Sequence, residues 1–408
     1  MDRMSLRMQL EREAVAAAAA VPALSDDAVT RALARAAELV HERRGAIREA
    51  NAADVEVARD LDEGSLDRLR LDDARIGALA EQLAELAALP PLEREEDDWQ
   101  LDNGLQVAVR RIPIGAVGAN FEARPNVALD VAGQLLKSLN AAVLRTGGAA
   151  LRTVTVLVDE VLRRALEDVG LPPEAVGLAR SPEREGARIL VSLPHLLPLV
   201  ILRGSGETTA ALAHQAATHG VRTLAHAEGG GVLYIGAAAS PATAEAVVAA
   251  SLDRLGVCNR LNLLLIDRRA QPLRERIEAT LAGLGIEIRE PDRVGHEWAN
   301  DPERIASVTL RTVDSLDEAV TLANAETSGL AAAIVTDDAD AAARFLDTYR
   351  GTAAFWNATT RFTDGFALTG SPETGINVDR VPGPRGPVTY RDLYLRQYRV
   401  IGDGTQTR

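Results

Sequence analysis

The chain has 408 residues, of which 47% are hydrophobic and 25% are charged, and its formal net charge is −14. This length predicts two or three lobes with separate cores. The acidic charge argues against a general binder of nucleic acid or of anionic membranes, because both need a basic face. Aromatic residues make up only 3% of the chain, so base-stacking surfaces are not expected either.

The sequence contains no apolar run of about 18 residues, so we expect no membrane-spanning helix. The alanine tract 16–20 directly follows charged residues, which favours a helix over the apolar part of a signal peptide. The single cysteine, Cys258, cannot form an internal disulfide or a multi-cysteine metal site, and we predict no bound metal. One cysteine without an export signal indicates the reducing cytoplasm.

The first part of the chain, residues 5–89, has the apolar spacing of helices. Ser25 is predicted to cap one helix, and a second is predicted from about Asp72 to Leu89. The acidic residues 93–98 are interpreted as a solvated connector. The Asn-Gly turn that follows, within alternating apolar residues, predicts a β-hairpin over 99–113.

From residue 114 onwards short apolar strands alternate with helices, as is typical of βαβ units with parallel sheets. The strands are predicted at 116–119, 141–144, 199–202, 232–235, 261–266, 307–310, 331–335 and 352–355. The helices are predicted at 126–139, 153–169, 207–219, 241–255, 316–325 and 338–349. We therefore predict an α/β fold with two parallel-sheet lobes.

Cys258 has two interpretations when the sequence around it is considered alone. A lone thiol is most often a small buried hydrophobic residue. The alternative is a nucleophile, which needs partners from elsewhere in the chain.

Loops that follow predicted strands supply candidate partners. Asn126 is either a helix N-cap or an amide donor for an oxyanion at the carboxyl end of a strand. Arg145 precedes the pair Gly147 and Gly148, which is either a turn or a close approach to phosphate.

Two further loops have the same position after a strand. Gly204 and Ser205 follow the third strand of the lobe and form a second phosphate-type loop, although the G-x-G-x-x-G fingerprint is absent. Arg361 lies in a polar loop after the last predicted strand, where a surface turn is equally consistent with the composition.

Taken together, these segments resemble the gamma-glutamyl phosphate reductase family (glutamate-5-semialdehyde dehydrogenases) of the aldehyde dehydrogenase superfamily. The resemblance covers residue 112 to the end. Its most specific motifs are Glu-Ala-Arg-Pro-Asn at 122–126 and Arg-Phe-Thr-Asp-Gly at 361–365, with further matches at 113–115, 256–259, 313–319, 333–336, 385–387 and 402–404.

The resemblance implies an aldehyde dehydrogenase-like α/β fold and a division into domains. These are a nucleotide-binding domain of residues 1–98 and 121–231, a catalytic domain of residues 232–385, and an oligomerisation hairpin and tail of residues 99–120 and 386–408. It also implies a homodimer or homotetramer joined through the hairpin and the tail.

The resemblance implies a cytoplasmic enzyme that uses NADPH to reduce a small anionic acyl phosphate, L-glutamyl 5-phosphate, to L-glutamate 5-semialdehyde in proline biosynthesis. Cys258 would form a thioester with the acyl group, and Asn126 would bind the oxyanion. The open alternatives are a divergent paralogue that reduces another acyl phosphate or an acyl thioester, and a non-catalytic binding protein that retains the fold.

The remaining site residues are assigned as follows. Arg124, Arg361 and Asn259 are expected to bind the substrate, although the two arginines are equally consistent with intramolecular ion pairs. The cofactor is expected to contact Arg145, Gly147, Gly204, Ser205 and Glu297, the last of which is otherwise a solvated surface charge.

The chain departs from the family at several positions. Family histidines are replaced at Leu322 and Leu330, and the C-terminal His-Ala-Arg-Gly-Pro motif becomes Gly-Pro-Arg-Gly-Pro at 383–387. These changes leave the identity of the acyl substrate open. Glu228 precedes Cys258 by 30 residues and is either a loop residue or a general base.

Overall fold

The computed structural model describes residues 3–204, 206–226, 229–301, 303–380 and 383–406. They form two compact units. The first consists of the described residues of Met1–Ala225, Ser371–Thr374 and Val388–Arg408, and the second of those of His226–Gly370 and Gly375–Pro387. Within the described ranges no helix is both long and apolar enough to cross a membrane.

The helices and strands follow each other in the predicted alternation. The α-helices are α1 (Arg3–Ala20), α2 (Asp26–Glu42), α3 (Arg44–Val57), α4 (Glu63–Leu69), α5 (Asp73–Ala88), α6 (Val127–Lys137), α7 (Leu151–Val156), α8 (Arg164–Asp168), α9 (Glu185–Leu190), α10 (Gly206–His219), α11 (Pro241–Ala250), α12 (Arg274–Gly283), α13 (Leu316–Ala325), α14 (Ala339–Thr348) and α15 (Gly365–Thr369). A π-helical segment, Leu157–Arg163, joins α7 to α8.

The strands are β1 (Glu95–Gln100), β2 (Gln106–Ile112), β3 (Ala116–Phe121), β4 (Ala141–Thr146), β5 (Val176–Leu178), β6 (Leu199–Arg203), β7 (Arg222–His226), β8 (Gly231–Ile235), β9 (Leu261–Asp267), β10 (Glu287–Arg289), β11 (Ser307–Val313), β12 (Ala331–Val335), β13 (Ala353–Trp356), β14 (Gly375–Asn377), β15 (Gly386–Val388) and β16 (Leu395–Ile401). The eight strands predicted after residue 114 are all present. The elements that were not predicted are helices α9, α12 and α15 and strands β1, β5, β7, β10, β14, β15 and β16.

The ends of α5 show why the N-terminal helices form where they were predicted. Asp72 caps the helix, because its carboxylate accepts a hydrogen bond from the backbone N–H of Arg75 at 2.7 Å. The helix ends at Ala88, just before Pro90 and Pro91, which lack the N–H group that a helix needs.

The first unit is built around a five-stranded sheet in the order β5-β4-β3-β6-β7. Strand β3 pairs in parallel with both β4 and β6. Along the chain, β4 and β5 are added to one side of β3, and β6 and β7 are added to its other side. The strand order therefore reverses between β3 and β6. In open α/β sheets, ligands bind at the carboxyl ends of the strands beside such a reversal.

The second unit contains a six-stranded sheet in the order β10-β11-β9-β8-β12-β13. Successive residues of its strands enter two separate hydrophobic clusters. Leu233 and Leu264 belong to a cluster with residues of α11 and α12, whereas Tyr234 and Leu263 belong to a cluster with residues of α13 and α14. Because neighbouring side chains of a strand point to opposite faces, helices cover both faces of this sheet. The two parallel sheets confirm the predicted α/β class.

A separate antiparallel sheet in the order β1-β2-β16 contains the predicted hairpin and the C-terminal tail. The interpretation of residues 93–98 as a connector was wrong, because Glu95–Gln100 is an edge strand. All its residues are exposed, so it has none of the apolar alternation that marks a half-buried strand. The hairpin ends at Ile112, and the boundary predicted at residue 120 falls inside β3 of the parallel sheet.

Candidate active site

Cys258 lies in the loop between α11 and β9. This loop spans residues 251–260, because α11 ends at Ala250 and not at the predicted residue 255. Gly256 turns the loop with a φ of 80°, a left-handed conformation that glycine adopts readily. The Cys258 side chain is half-buried and lies outside both hydrophobic clusters of the second unit. The interpretation of Cys258 as a small buried residue of the core therefore does not describe this side chain.

Two glycines that precede β8 lie directly against the Cys258 loop. The backbone N–H of Gly230 donates to the carbonyl oxygen of Cys258 at 2.6 Å. A Cβ atom on Gly229 would lie 2.5 Å from this carbonyl oxygen and 2.5 Å from Oε1 of Glu297. No side chain fits at that position, so the glycine permits the close approach that fixes the cysteine backbone.

Replacing Gly229 with alanine is expected to destabilise the protein by about 1–3 kcal/mol, because the new methyl group overlaps backbone atoms of Cys258. Urea unfolding of the variant measures this change. Gly283→Ala is the matched control, since it lies at the end of α12, where a new methyl group would have no atom of another element within 4 Å. The control should be neutral or slightly stabilising. Equal unfolding free energies for the two variants would contradict the packing argument.

Glu297 lies beside the same glycine and is half-buried. Its Oε1 atom accepts a hydrogen bond from the side-chain amide of Asn300 at 2.7 Å. Gly229 borders both Glu297 and the backbone of Cys258. The structure thus brings the glutamate predicted to bind the nicotinamide ribose close to the cysteine loop, and it is not a fully solvated charge.

Arg361 forms an intramolecular ion pair, which was one of the two roles that the sequence allowed for it. Its Nε donates to Asp253 at 2.7 Å and its Nη2 donates to the same carboxylate at 3.3 Å, while Nη1 donates to the side-chain oxygen of Asn259. Although burial raises the pKa of Asp253, the Arg361 guanidinium holds it below its usual range.

Asn259 is buried and connects the Cys258 loop to the loop of Arg361. Its amide nitrogen donates to the carbonyl oxygens of Arg361 and Thr363, both at 3.0 Å. The hydroxyl of Thr360 donates to the carbonyl oxygen of Asn259, also at 3.0 Å. These bonds position the residue after the cysteine, and together with the bond from Arg361 they occupy both polar atoms of the Asn259 side chain.

Asn126 lies in the first unit, between β3 and α6. Its backbone is already helical, with φ −55° and ψ −35°, and its side chain makes no capping hydrogen bond to the described residues of α6. The amide nitrogen instead donates to Oδ2 of Asp130 at 3.1 Å. The alternative role as an N-cap therefore does not apply to this side chain.

The loops after β3, β4 and β6 line one pocket of the first unit, with a volume of about 340 Å³. Glu122 and Arg124 follow β3, Arg145 and Gly147 come from the end of β4, and Gly204 follows β6. The structure brings together four residues that were predicted separately, namely Arg124 and three of the expected cofactor residues. This edge of a parallel sheet is where α/β proteins bind their ligands.

Two arginines that the sequence analysis missed also line this pocket. Arg68 comes from α4 and Arg184 precedes α9. With Arg124 and Arg145 they place four guanidinium groups around the pocket, where Glu122 contributes the one carboxylate among the described lining residues. In a chain of net charge −14 such a cluster favours a ligand with several negative charges.

Arg145 shows that the pocket suits an anion. Its side chain is 1% exposed, and it donates to the side-chain oxygen of Asn120 at 3.1 Å and to the carbonyl oxygen of Glu183 at 3.0 Å. Its buried Nε has no hydrogen-bond partner within the described part of the chain. Burial lowers the pKa of Arg145, and the negative charge of Glu122 opposes this shift. An anion in the pocket would offset the cost of burying this cation.

Some predicted positions cannot be placed, and others have a packing explanation. Ser205 and Glu228 lie outside the described residues. Leu330 is fully buried, and Leu322 packs against the cluster of α13 and α14. Core packing therefore explains why leucines stand at two of the positions where the family has histidines. Arg385, in the altered C-terminal motif, donates to the carbonyl oxygen of Arg350 at 3.0 Å.

Comparisons with known proteins agree with this architecture. Residues 306–386 match the aldehyde dehydrogenase family. The chain is 34% identical to a gamma-glutamyl phosphate reductase of Thermobifida fusca over 98% of each sequence, and 31% identical to one of Persephonella marina over 97% of this chain and 93% of that protein. The crystal structure of a gamma-glutamyl phosphate reductase from Thermotoga maritima has a TM-score of 0.92 at 28% identity, over 98% of this chain and 100% of that one. The predicted aldehyde dehydrogenase-like fold is confirmed.

Proposed function

Because the chain belongs to the gamma-glutamyl phosphate reductase family of the aldehyde dehydrogenase superfamily, we propose that it reduces L-glutamyl 5-phosphate to L-glutamate 5-semialdehyde with NADPH. The chain is thus an oxidoreductase that acts on an aldehyde or oxo group. The observation that carries the proposed mechanism is the half-buried Cys258, whose loop is fixed by Gly230 and borders Glu297 through Gly229.

In the proposed reaction the Cys258 thiolate attacks the carbonyl carbon of the acyl phosphate, and a C–S bond forms. The negative charge that develops on the carbonyl oxygen is held by the backbone N–H of Cys258 and by the side-chain amide of Asn126. Such a donor commonly stabilises the transition state by roughly 3 kcal/mol. Phosphate then leaves with the electron pair of the C–O bond, so no general base is needed to activate water.

The cofactor is proposed to bind at the pocket of four arginines, of which Arg124 is assigned to the substrate, and to contact Glu297. Enzymes of the aldehyde dehydrogenase family use NAD or NADP, and the positive charge of the pocket supports NADPH, which carries one phosphate more than NADH. NADPH, when bound, supplies the hydride that reduces the thioester. The C–S bond then breaks, so that Cys258 leaves as a thiolate and the aldehyde is released. Arg145, Gly147 and Gly204 would hold its phosphates, while the carboxylate of Glu297 would accept hydrogen bonds from a ribose.

The substrate is proposed to be bound chiefly by Arg124, which follows a left-handed Ala123 with a φ of 46°. A non-glycine residue held at positive φ stores strain and is common at functional sites. Arg361 and Asn259 are proposed to act at the substrate through the loop that they connect, since the structure commits their side chains to each other and to Asp253. We further propose a cytoplasmic location, as one cysteine suits a reducing compartment.

The reverse reaction tests this function. The purified protein is incubated with L-glutamate 5-semialdehyde, phosphate and NADP⁺, and the reduced cofactor is followed by absorbance. We expect cofactor reduction that requires phosphate. Reduction that requires coenzyme A in place of phosphate, or that occurs only with another aldehyde, would indicate a related reductase of different acyl specificity. No reduction with any aldehyde would contradict an enzymatic role.

We also propose that the β1-β2-β16 sheet joins copies of the chain in a homo-oligomer. The side chains of both β1 and β16 are exposed along their whole length, including Trp99, Tyr398 and Val400. A small exposed sheet with apolar side chains gains stability when it packs against another surface.

Replacing Val400, which is 53% exposed, with glutamate is expected to shift the oligomer towards monomers, because a charge would be buried at the interface. Light scattering after size-exclusion chromatography measures the mass. Val57→Glu on α3, where the valine is 69% exposed, is the control and should leave the mass unchanged. A wild-type monomer, or an unchanged mass for Val400→Glu, would contradict the proposal.

A further inference from the structure

Asn126 and Asp130 lie one helical turn apart at the start of α6. Residues four positions apart share one face of a helix, and here the side chains meet, with Nδ2 of Asn126 donating to Oδ2 of Asp130 at 3.1 Å. A side-chain amide carries two N–H donors. One of them is directed to Asp130, which fixes the plane of the amide and leaves the second donor for another acceptor.

The surroundings of Asp130 combine apolar side chains with two charges. A cavity of about 10 Å³ beside it is lined by leucines of α5, including Leu79 and Leu83, and by Gln82 and Pro372. Burial raises the pKa of the Asp130 carboxyl to about 7, the nearby Arg203 and the bond from Asn126 oppose this, and Glu373 adds to it. The carboxyl therefore changes its charge in the range where most enzymes work.

We propose that Asp130 is a positioning residue for the reaction, holding the Asn126 amide so that its second N–H reaches the oxyanion. This inference rests on the proposed function, in which Asn126 is the oxyanion donor. The ionised carboxylate accepts a stronger hydrogen bond than the neutral acid. Raising the pH through about 7 ionises Asp130 and should therefore increase kcat through better positioning of Asn126.

Three variants test this role in the phosphate-dependent oxidation of the semialdehyde. Asp130→Ala should lower kcat about 10- to 100-fold, part of the loss expected when an oxyanion donor is removed, and should change KM for the aldehyde less than about twofold. Asp130→Asn retains an acceptor oxygen that does not titrate. It should keep kcat within about threefold at about pH 8, and the rise in kcat near pH 7 should disappear.

The third variant, Asn126→Ala, separates positioning from a direct role. If Asp130 acts only through Asn126, the double variant should be no slower than Asn126→Ala alone. Multiplied losses, an unchanged kcat for Asp130→Ala, or a rise near pH 7 that persists in Asp130→Asn would each overturn the inference. Thermal unfolding checks that the variants fold, and Asp130→Asn supplies the pH test if the alanine variant does not.

The failure of this inference is distinguishable from that of the proposed function. An inactive Cys258→Ala together with a fully active Asp130→Ala would overturn the inference alone. A fully active Cys258→Ala would overturn the thioester mechanism, and with it the role of Asn126 that this inference requires.

Discussion

Replacing Cys258 with alanine is expected to lower kcat for semialdehyde oxidation by at least about 10³-fold, because removal of a catalytic nucleophile leaves no route to the covalent intermediate. The assay follows phosphate-dependent reduction of NADP⁺. The Cys258 side chain is half-buried and outside the core, so its truncation should change the unfolding temperature little. Binding of NADP⁺, measured by calorimetry, should be within about threefold of wild type.

Thiol labelling provides an independent measurement of the same residue. Cys258 is the only cysteine in the chain, so every equivalent of iodoacetamide incorporated reports on it directly. A nucleophilic thiolate should react faster at neutral pH than a simple thiol of ordinary pKa. A residual activity of Cys258→Ala within tenfold of wild type, or a thiol unreactive in the native protein, would contradict the thioester mechanism.

The sequence predicted the residues at the ends of strands, because a parallel sheet brings its carboxyl ends to one edge. Arg145, Gly147 and Gly204 were each predicted from a loop that follows a strand, and the structure shows that they line one pocket. Cys258 had two interpretations from the sequence around it, because a lone thiol is most often a small buried hydrophobic residue. The helix before it was predicted to run to residue 255. The observed end at Ala250 gives the cysteine a longer loop than the predicted helix would have left.

The positions of Arg68 and Asp130 were not predicted, for two different reasons. Asp130 had a local signal, its spacing of four residues from Asn126, which was not used. Arg68 had none, because its position depends on how α4 packs. Asn51 holds that helix, donating to the carbonyl oxygen of Leu69 at 2.9 Å. Such long-range contacts are not encoded by any nearby pattern.

The same limitation applies to the edge strand β1. Four of its six residues are acidic and all six are exposed, and hydrogen bonding to β2 makes it a strand. A pattern of burial detects strands that contribute to a core, whereas β1 and β16 contribute to an exposed sheet. The sequence therefore predicted the two α/β units well and the three-stranded sheet only in part.

Replacing both Arg68 and Arg184 with glutamine is expected to weaken NADP⁺ binding about 10- to 100-fold and to leave NAD⁺ binding within about threefold of wild type. This range follows from charge-assisted hydrogen bonds of about 1.5–3 kcal/mol to the additional phosphate. Arg68 is available at the pocket because α4 is fixed at both ends. Asp62 caps it by accepting from the N–H of Ser65 at 2.9 Å, and Leu69 is buried at its end.

Calorimetry with each nucleotide measures these affinities without relying on turnover, and KM values for both cofactors provide a second reading. Arg59→Gln is the control, because Arg59 pairs with Glu56 on the surface and does not line the pocket. It should leave both affinities unchanged. Equal weakening of NADP⁺ and NAD⁺ would place a phosphate common to both cofactors beside Arg68 and Arg184. Unchanged affinities for both would show that Arg68 and Arg184 do not bind the cofactor. The difference between the two nucleotides therefore decides whether these arginines select NADPH.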